Sequence, residues 1–404
     1  MELPKKEERG NFMKEKVVFT VVLILSIIYI VIGSKIATKD NNVFSQVMKV
    51  DYPRAKITRI IERKETPLQI DGLENQYNTD ITFEAHVTSG EHKDDMVIAT
   101  QNISTYITGT VKEVEVGDKV LLYNENSYDG QSKWYFVEYS RTTALIVLAA
   151  VFLGLIVLFG KTKGLKTLVS LVFTVLAIFM VYIPAILGGQ NIYAWTIVTC
   201  AFITISTVIL VYGYSRKTLS TALGCIAGVL VAGLLTLLMN NILKLTGFTD
   251  ENSIYLQQLN STIDLKAIIF GGILVGAVGA IMDVAIDISS SLSEVASKME
   301  KPEFREIVKS GFNIGKDIMG TMTNTLILAY IGSSLSTVLL LTASSHSILY
   351  LFNLEMITVE ILQALAGSIG ILTTIPLTSV IAAALYKYVD PHKYTYAYKG
   401  GKNK

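Results

Sequence analysis

IIFGGILVGAVGAIMDVAIDISSSLSE, residues Ile268 to Glu294, is the stretch on which the reading of the chain turns. It opens as an apolar run dotted with glycine, carries Asp283 and Asp287, and runs out into serines. Residues four apart on a helix share a face, so the two carboxylates point the same way. Gly272, Gly276 and Ala280 repeat a small-xxx-small spacing that lets a second helix approach closely. Two readings stand side by side: paired acids held inside a membrane for a purpose, or acids at the water boundary that end the helix.

The whole composition points to lipid. Of 404 residues 51% are hydrophobic and 17% charged, against roughly a quarter charged in ordinary soluble domains; mean hydropathy is +0.46. A net charge of +1 gives no basic surface for nucleic acid, so no nucleic-acid partner is expected; the basic residues matter by position. Cys200 and Cys225 lie inside apolar runs and read as packing residues, because metal sites and disulfides need clustered or paired ligands. His86, His92, His346 and His392 show no ligand spacing.

Residues 1–16 are polar and rich in lysine and glutamate, and 17–34 form an apolar run long enough to anchor the chain in a membrane. GSKIATKD, which follows, is a poor cleavage site, so an uncleaved anchor with a cytoplasmic N-terminus (1–16) is expected. Residues 41–141 are polar and alternate like strands: in ITFEAHV, Ile81, Phe83, Ala85 and Val87 fall on one face. Further strand-like runs are Ala55–Ile61, Met96–Thr100, Ile107–Val116, Lys119–Tyr123 and Lys133–Tyr139, with turns at Gly117-Asp118 and Asp129-Gly130. They predict a small extracytoplasmic β domain, a barrel or sandwich, with an OB-like barrel preferred. Its lysines and aromatics alternate with Glu113, Glu115 and Glu138, which is a spacer's surface more than a nucleic-acid surface.

From Thr143 the apolar runs come in series: Thr143–Phe159, Leu165–Leu187, Ile192–Tyr212, Leu219–Leu243, Ala267–Ile288, Ile318–Leu341 and Ile357–Tyr386. The expected fold is therefore a mainly α membrane protein of eight transmembrane helices: the N-terminal anchor and a seven-helix bundle over 143–388. Lys161, Lys163 and Lys166; Arg216 and Lys217; Lys298 to Lys316; and the tail 389–404 supply basic loops on alternate connections. Positive charge favours the cytoplasmic side, which places both termini inside and the β domain outside. Within 289–315, Leu292, Val295 and Met299, then Phe304, Ile307 and Val308, suggest two short amphipathic helices on the inner leaflet.

Asp283 lies deep in its run, where an ionisable side chain costs at least ~2.5 kcal/mol on insertion scales. The next run enters from the same side with Asn313, Asp317, Thr321 and Asn324 at spacings of four, four and three. Antiparallel packing of these two runs would bring Asp283, Asp287, Asp317, Thr321 and Asn324 to similar depths, a set of oxygens suited to a hard cation or a shared proton. An interfacial position for Asp287 and Asp317, and a helix-locking hydrogen bond from Asn324 or Thr321 to Asp283, remain open. The last run offers a facing wall, Gln363, Gly367, Gly370 and Thr374, followed by Pro376, which removes a backbone hydrogen bond and can open a helix; small and hydroxylated residues are equally a packing surface.

GAIMDVAIDISSSLSE (Gly279–Glu294) and GKDIMGTMTNTLILAYIGSSL (Gly315–Leu335) resemble the YibE/YibF-like family of bacterial multi-pass membrane proteins. The resemblance extends over most of the chain and implies an integral protein of the bacterial cytoplasmic membrane; it marks Asp283, Asp317, Thr321 and Asn324 as lying in signature blocks without assigning their chemistry. No GxxxxGK[ST], HExxH, GxSxG or CxxC occurs, so no enzyme, catalytic residue or cofactor is expected beyond a bound proton or cation. A transporter or permease coupled through Asp283 is the leading expectation. A non-transporting envelope protein, whose β domain binds a partner or envelope polymer, is the alternative, and a membrane-embedded enzyme comes third. Partners would be the bilayer, a small solute or ion, and a second copy or a related membrane protein.

Overall fold

The structure is a computed structural model, and it describes residues 6–38, 51–67, 77–104, 112–126, 132–343 and 347–388. The chain divides into two compact units, residues 45–155 and the remainder.

The first unit is a closed five-stranded barrel. Its strands are β1 (Arg54–Pro67), β2 (Tyr77–Val87), β3 (Met96–Ser104), β4 (Lys119–Asn126) and β5 (Ser132–Tyr139). Their order is β1-β2-β3-β5-β4, with β4 returning to β1 and β3 running parallel to β5 at Ala99–Trp134 and Thr100–Tyr135. Register shifts in β1 between Ile57 and Arg59 and between Ile60 and Glu62 supply the local bend that closure needs. The period-two face of ITFEAHV points inward: Ile81, Phe83, Ala85 and Val87 are all buried. Gln101 is buried in the barrel, its amide oxygen accepting from the Val114 backbone at 3.0 Å and its amide nitrogen donating to the Lys112 carbonyl at 3.2 Å. This satisfies a side chain that would otherwise be costly to bury. The Gly117 turn is present, with φ +97°, a conformation glycine adopts without a steric penalty. The residues 112–116 of the expected strand Ile107–Val116 are not a strand; its first part, and the Asp129-Gly130 turn, lie outside the described residues.

The second unit is helical, and the second of the helices begins inside the first unit, which ends at residue 155. Its helices are α1 (Lys6–Ala37), α2 (Thr142–Ala177), α3 (Ile183–Leu187), α4 (Ile192–Tyr212), α5 (Arg216–Ile242), α6 (Glu251–Leu259), α7 (Leu265–Lys298), α8 (Phe304–Ser333), α9 (Leu335–Ala343), α10 (Ile348–Asn353) and α11 (Glu355–Tyr388). Side-chain caps start several of them: Asn191, Ser215 and Asp264 each accept a hydrogen bond from the backbone N–H three residues on, which satisfies a donor the helix cannot.

Among the described residues six helices are long and apolar enough to cross a membrane. One, Thr142–Leu187, has 46 residues, about 69 Å of straight helix against a hydrocarbon core of about 30 Å. It is broken at Lys161 (φ 47°, ψ −125°), between the two apolar runs expected there. Pro184 follows a π-helical turn, Ile178–Tyr182; the widened turn accommodates a residue without an N–H. α8 is not among the six; its first turns are charged, and one face carries Asn313, Asp317, Thr321 and Asn324.

α5, α7, α8 and α11 form the core of the bundle, with α4 against α5 and α7. Small residues let these helices meet. A methyl group at Gly224 or Gly228 of α5 would collide with Thr378 and Thr374 of α11, and one at Gly311 or Gly315 of α8 with Ser379 and Ile375. Ala277, Ile281, Ile288 and Leu292 of α7 fill the centre, each fully buried.

The two amphipathic helices expected within 289–315 are not separate elements. α7 runs on to Lys298 and α8 starts at Phe304, leaving Pro302 in the turn. Nothing between Asp287 and Lys298 breaks a helix, and Leu292 and Ile307 are buried in the main core, so continuing the helices buries apolar surface that a surface-lying connector would leave at the lipid face.

Candidate functional site

α7 divides sharply into two faces. Ile281, Val284, Ala285 and Ile288 are buried, whereas Gly272, Gly276, Gly279, Asp283 and Asp287 form an exposed stripe. The glycines of this stripe are largely uncovered: a methyl at Gly272 or Gly279 would meet nothing within 4 Å. At Gly276 the Tyr330 hydroxyl would lie 2.8 Å away and the Gln363 amide 3.8 Å. The small-xxx-small spacing is therefore not a helix-packing seam of this chain at Gly272. Measured along α7, Asp283 lies about 27 Å from Leu265 at ~1.5 Å per residue, near the far limit of a hydrocarbon core that starts at Leu265, and Asp287 is one turn beyond.

Asp283 and Asp287 both interact electrostatically with the Tyr212 phenol at the end of α4. Asp287 does so with Lys217, which also feels Lys163. The Lys217 ammonium sits 5.0 Å from the centre of the Tyr212 ring, a cation–π distance. Two acids, a half-buried lysine and a phenol thus share one end of the bundle. From sequence, Tyr212 is not singled out and Lys217 reads only as a loop charge. The signal was present in the loop pattern, since Arg216 and Lys217 follow α4 directly, at the end of the bundle where Asp287 emerges.

The stripe on α8 stands apart. Asp317, Thr321 and Asn324 are exposed, and the Thr321 hydroxyl donates to the Ile318 carbonyl of its own helix at 2.9 Å. Among the described residues no hydrogen bond or ion pair joins this stripe to Asp283 or Asp287. The reason lies in α11: α8 spends its glycine face, Gly311 and Gly315, on α11 and meets α7 less extensively. The expected wall on α11 is mostly a contact surface. Thr374 is buried, donates to the Gly370 carbonyl at 2.7 Å and packs on Gly228. Gln363 is half-buried near Gly276 and Tyr330. Pro376 is also half-buried and does not open the helix, which runs unbroken from Glu355 to Tyr388. No group of three or more His, Cys, Asp or Glu able to hold a metal occurs among the described residues. Cys200 and Cys225 are buried and unpaired.

A family model described as "YibE/F-like protein" matches residues 148–388, more than half of the chain. The chain belongs to the YibE/F-like family. No curated protein and no solved structure matches it. The matched YibE/F-like region contains the core bundle, the α7 stripe, the α8 stripe and the α11 seam, so every candidate residue named above falls inside it. The barrel and α1 fall outside it. The long apolar helices of this YibE/F-like region mark a membrane protein.

Proposed function

We propose that the chain is an ion-coupled transport protein in which Asp283 is the coupling acid. The observation that carries this reading is the open α7 face: an acid near the end of the apolar run with open space beside Gly279, one turn away, interacting with Tyr212, and followed by Asp287, which interacts with Lys217. Near the end of the hydrocarbon core an ionised carboxylate costs little, so it is the open face beside Asp283, not its depth, that supports the reading. A neighbouring lysine is a built-in competitor at Asp287: a proton or cation shared between the two acids weakens the pull of Asp287 on Lys217, which links ion occupancy to the α4–α5 connection. Family membership supports the membrane setting and leaves the activity open.

In this reading the break at Lys161 divides α2 into two spans and α8 supplies a further one, giving eight with α1. The lysine-bearing connections face the cytoplasm and the barrel lies outside. The strand order β1-β2-β3-β5-β4 with a parallel β3–β5 contact supports the OB-like assignment.

Solid-supported-membrane electrophysiology on proteoliposomes tests the reading. A pH or sodium jump displaces charge in the unaltered protein, and Asp283→Asn abolishes that signal while inserting and eluting as the parent does. An Asp283→Asn protein that displaces charge like the parent would overturn it.

A second reading rests on the barrel's exposed Met96 and Ile98 on β3, which offer an apolar contact for an envelope partner. Charge displacement that survives deletion of the barrel separates the two readings in favour of transport.

A further inference from the structure

α8 has two faces, and the chain uses one of them. Gly311, Gly315 and Leu326 are buried; the two glycines meet Ser379 and Ile375 of α11, and Leu326 lies against Gly367. At about 100° per residue, the opposite face carries Asn313, Lys316, Asp317, Gly320, Thr321 and Asn324, all exposed. With Gly315 beside Ile375 and Leu326 beside Gly367, the stretch from Lys316 to Asn324 runs alongside residues 367–375 of α11, a helix long and apolar enough to cross a membrane.

Nothing in the described part of the chain answers this face. Among the described residues no hydrogen bond or ion pair joins Lys316, Asp317 or Asn324 to another group, and the Thr321 hydroxyl is bonded to the Ile318 carbonyl of its own helix at 2.9 Å. A methyl group at Gly320 would meet nothing within 4 Å. Lipid tails offer such a face no hydrogen bonds. Amides, hydroxyls and glycines on a membrane helix pack on other helices, and ionisable side chains there face protein or water rather than hydrocarbon.

Two features of the face select a second copy of the chain. Copies inserted in one membrane share one orientation, so a closed pair has its two-fold axis along the membrane normal and equivalent residues meet at equal depth. Asn313, Gly320 and Asn324 form the centre line of the face, with Lys316 on one flank and Asp317 on the other. A two-fold between parallel helices sets opposite flanks against each other, as at the charged flanking positions of a parallel coiled coil. Lys316 of each copy then faces Asp317 of the other, so the face complements itself in charge. On the centre line the Asn324 amide meets its own image, and an amide supplies both donor and acceptor. Gly320 removes the side chain that would hold the two backbones apart.

We propose that the chain forms a two-fold dimer through this face of α8, with Lys316 paired to Asp317 of the second copy and Asn324 to Asn324. The interface goes beyond the transport reading and is measured without flux.

Full chains fused at the C-terminus to donor or acceptor fluorescent proteins are reconstituted together in phosphatidylcholine vesicles, and energy transfer is followed as lipid dilutes them. Lys316→Asp and Asp317→Lys each set like charges across the axis, which opposes pairing, and each weakens the dimer at least about tenfold. Lys316→Asp/Asp317→Lys restores opposite charges and returns the dimer to within about threefold of the unaltered chain, a recovery that a merely damaged helix does not give. Asn324→Cys joins two copies covalently under copper phenanthroline, whereas Leu238→Cys, at an exposed apolar position of α5, does not; Cys200 and Cys225 are buried and stay out of the reaction. A chain that stays monomeric in the vesicles, single swaps that leave the dimer intact, a double swap no tighter than either single, or cross-linking at Leu238 equal to that at Asn324 would each overturn the assignment.

Discussion

Replacing Gly228 by alanine tests the packing on which the bundle rests. A methyl group there would collide with the Thr374 hydroxyl and lie 3.1 Å from Ile281 Cγ2 and 3.2 Å from Thr374 Cβ. Thr374 is buried with its hydroxyl bonded to the Gly370 carbonyl, and Ile281 is fully buried, so neither can move aside cheaply. Overpacking of this kind costs about 1–3 kcal/mol. In soluble domains of 150–250 residues 1 kcal/mol corresponds to roughly 2–4 °C, so a fall of several degrees is expected. Thr374→Ala removes the colliding oxygen at little cost, because the Gly370 carbonyl it serves lies within the same helix. The double variant Gly228→Ala/Thr374→Ala therefore recovers at least half of the loss, a coupling of about 0.5–1.5 kcal/mol of the size found between residues in contact. Thermal denaturation followed by size-exclusion chromatography in detergent measures all four corners of the cycle. Additive losses, or a Gly228→Ala protein as stable as the parent, would refute the close α5–α11 approach.

In the barrel, Phe83→Ala empties a fully buried position at a cost of about 3–5 kcal/mol; proteolysis of the barrel in the intact chain accelerates at least tenfold, and unchanged proteolysis would remove Phe83 from the core. The Arg63 guanidinium donates twice to the Glu113 carboxylate, at 2.9 and 2.8 Å, and so holds that carboxyl below its ordinary range. A depressed carboxylate stabilises the fold above its unfolded pKa, about 4.3, and loses that contribution as pH falls through the lower folded value. The barrel is thus less stable at pH 3 than at pH 7, by a small amount for so exposed a pair. Glu113→Gln flattens this pH dependence in Trp134-monitored unfolding; an unaltered pH profile would discard the pair's role.

The candidate site was legible in part. Asp283 and Asp287 share a face because helical spacing demands it, and that face is where the fold leaves them. Their partners were not legible. Sequence proximity pointed to Asp317, Thr321 and Asn324 on the next helix, yet both acids interact with Tyr212 and Asp287 with Lys217. Adjacent helices of a bundle need not pack along their polar stripes; here α11 takes the glycine faces of both α5 and α8, and the polar residues are what remains outside. The ends of α7 and α8 were obscured for a different reason. Serines and lysines after Asp287 resemble a loop, but helix propagation needs only the absence of a breaker and a place to bury Leu292 and Ile307.

From its order of residues alone the chain determines a family, a run of apolar segments, a β-rich insertion and the inward face of ITFEAHV. These follow from local period, length and composition, which tertiary contacts do not alter. Which helices touch, whether Thr374 lines a path or packs against Gly228, and which face of α8 is left uncovered were decided by tertiary structure. Those outcomes depend on how closely whole helices can approach, and such distances are set where distant residues such as Gly228 and Thr374 meet. The stretch from Ile268 to Glu294 carries both kinds of information: its spacing makes the stripe, and its neighbours leave the stripe open.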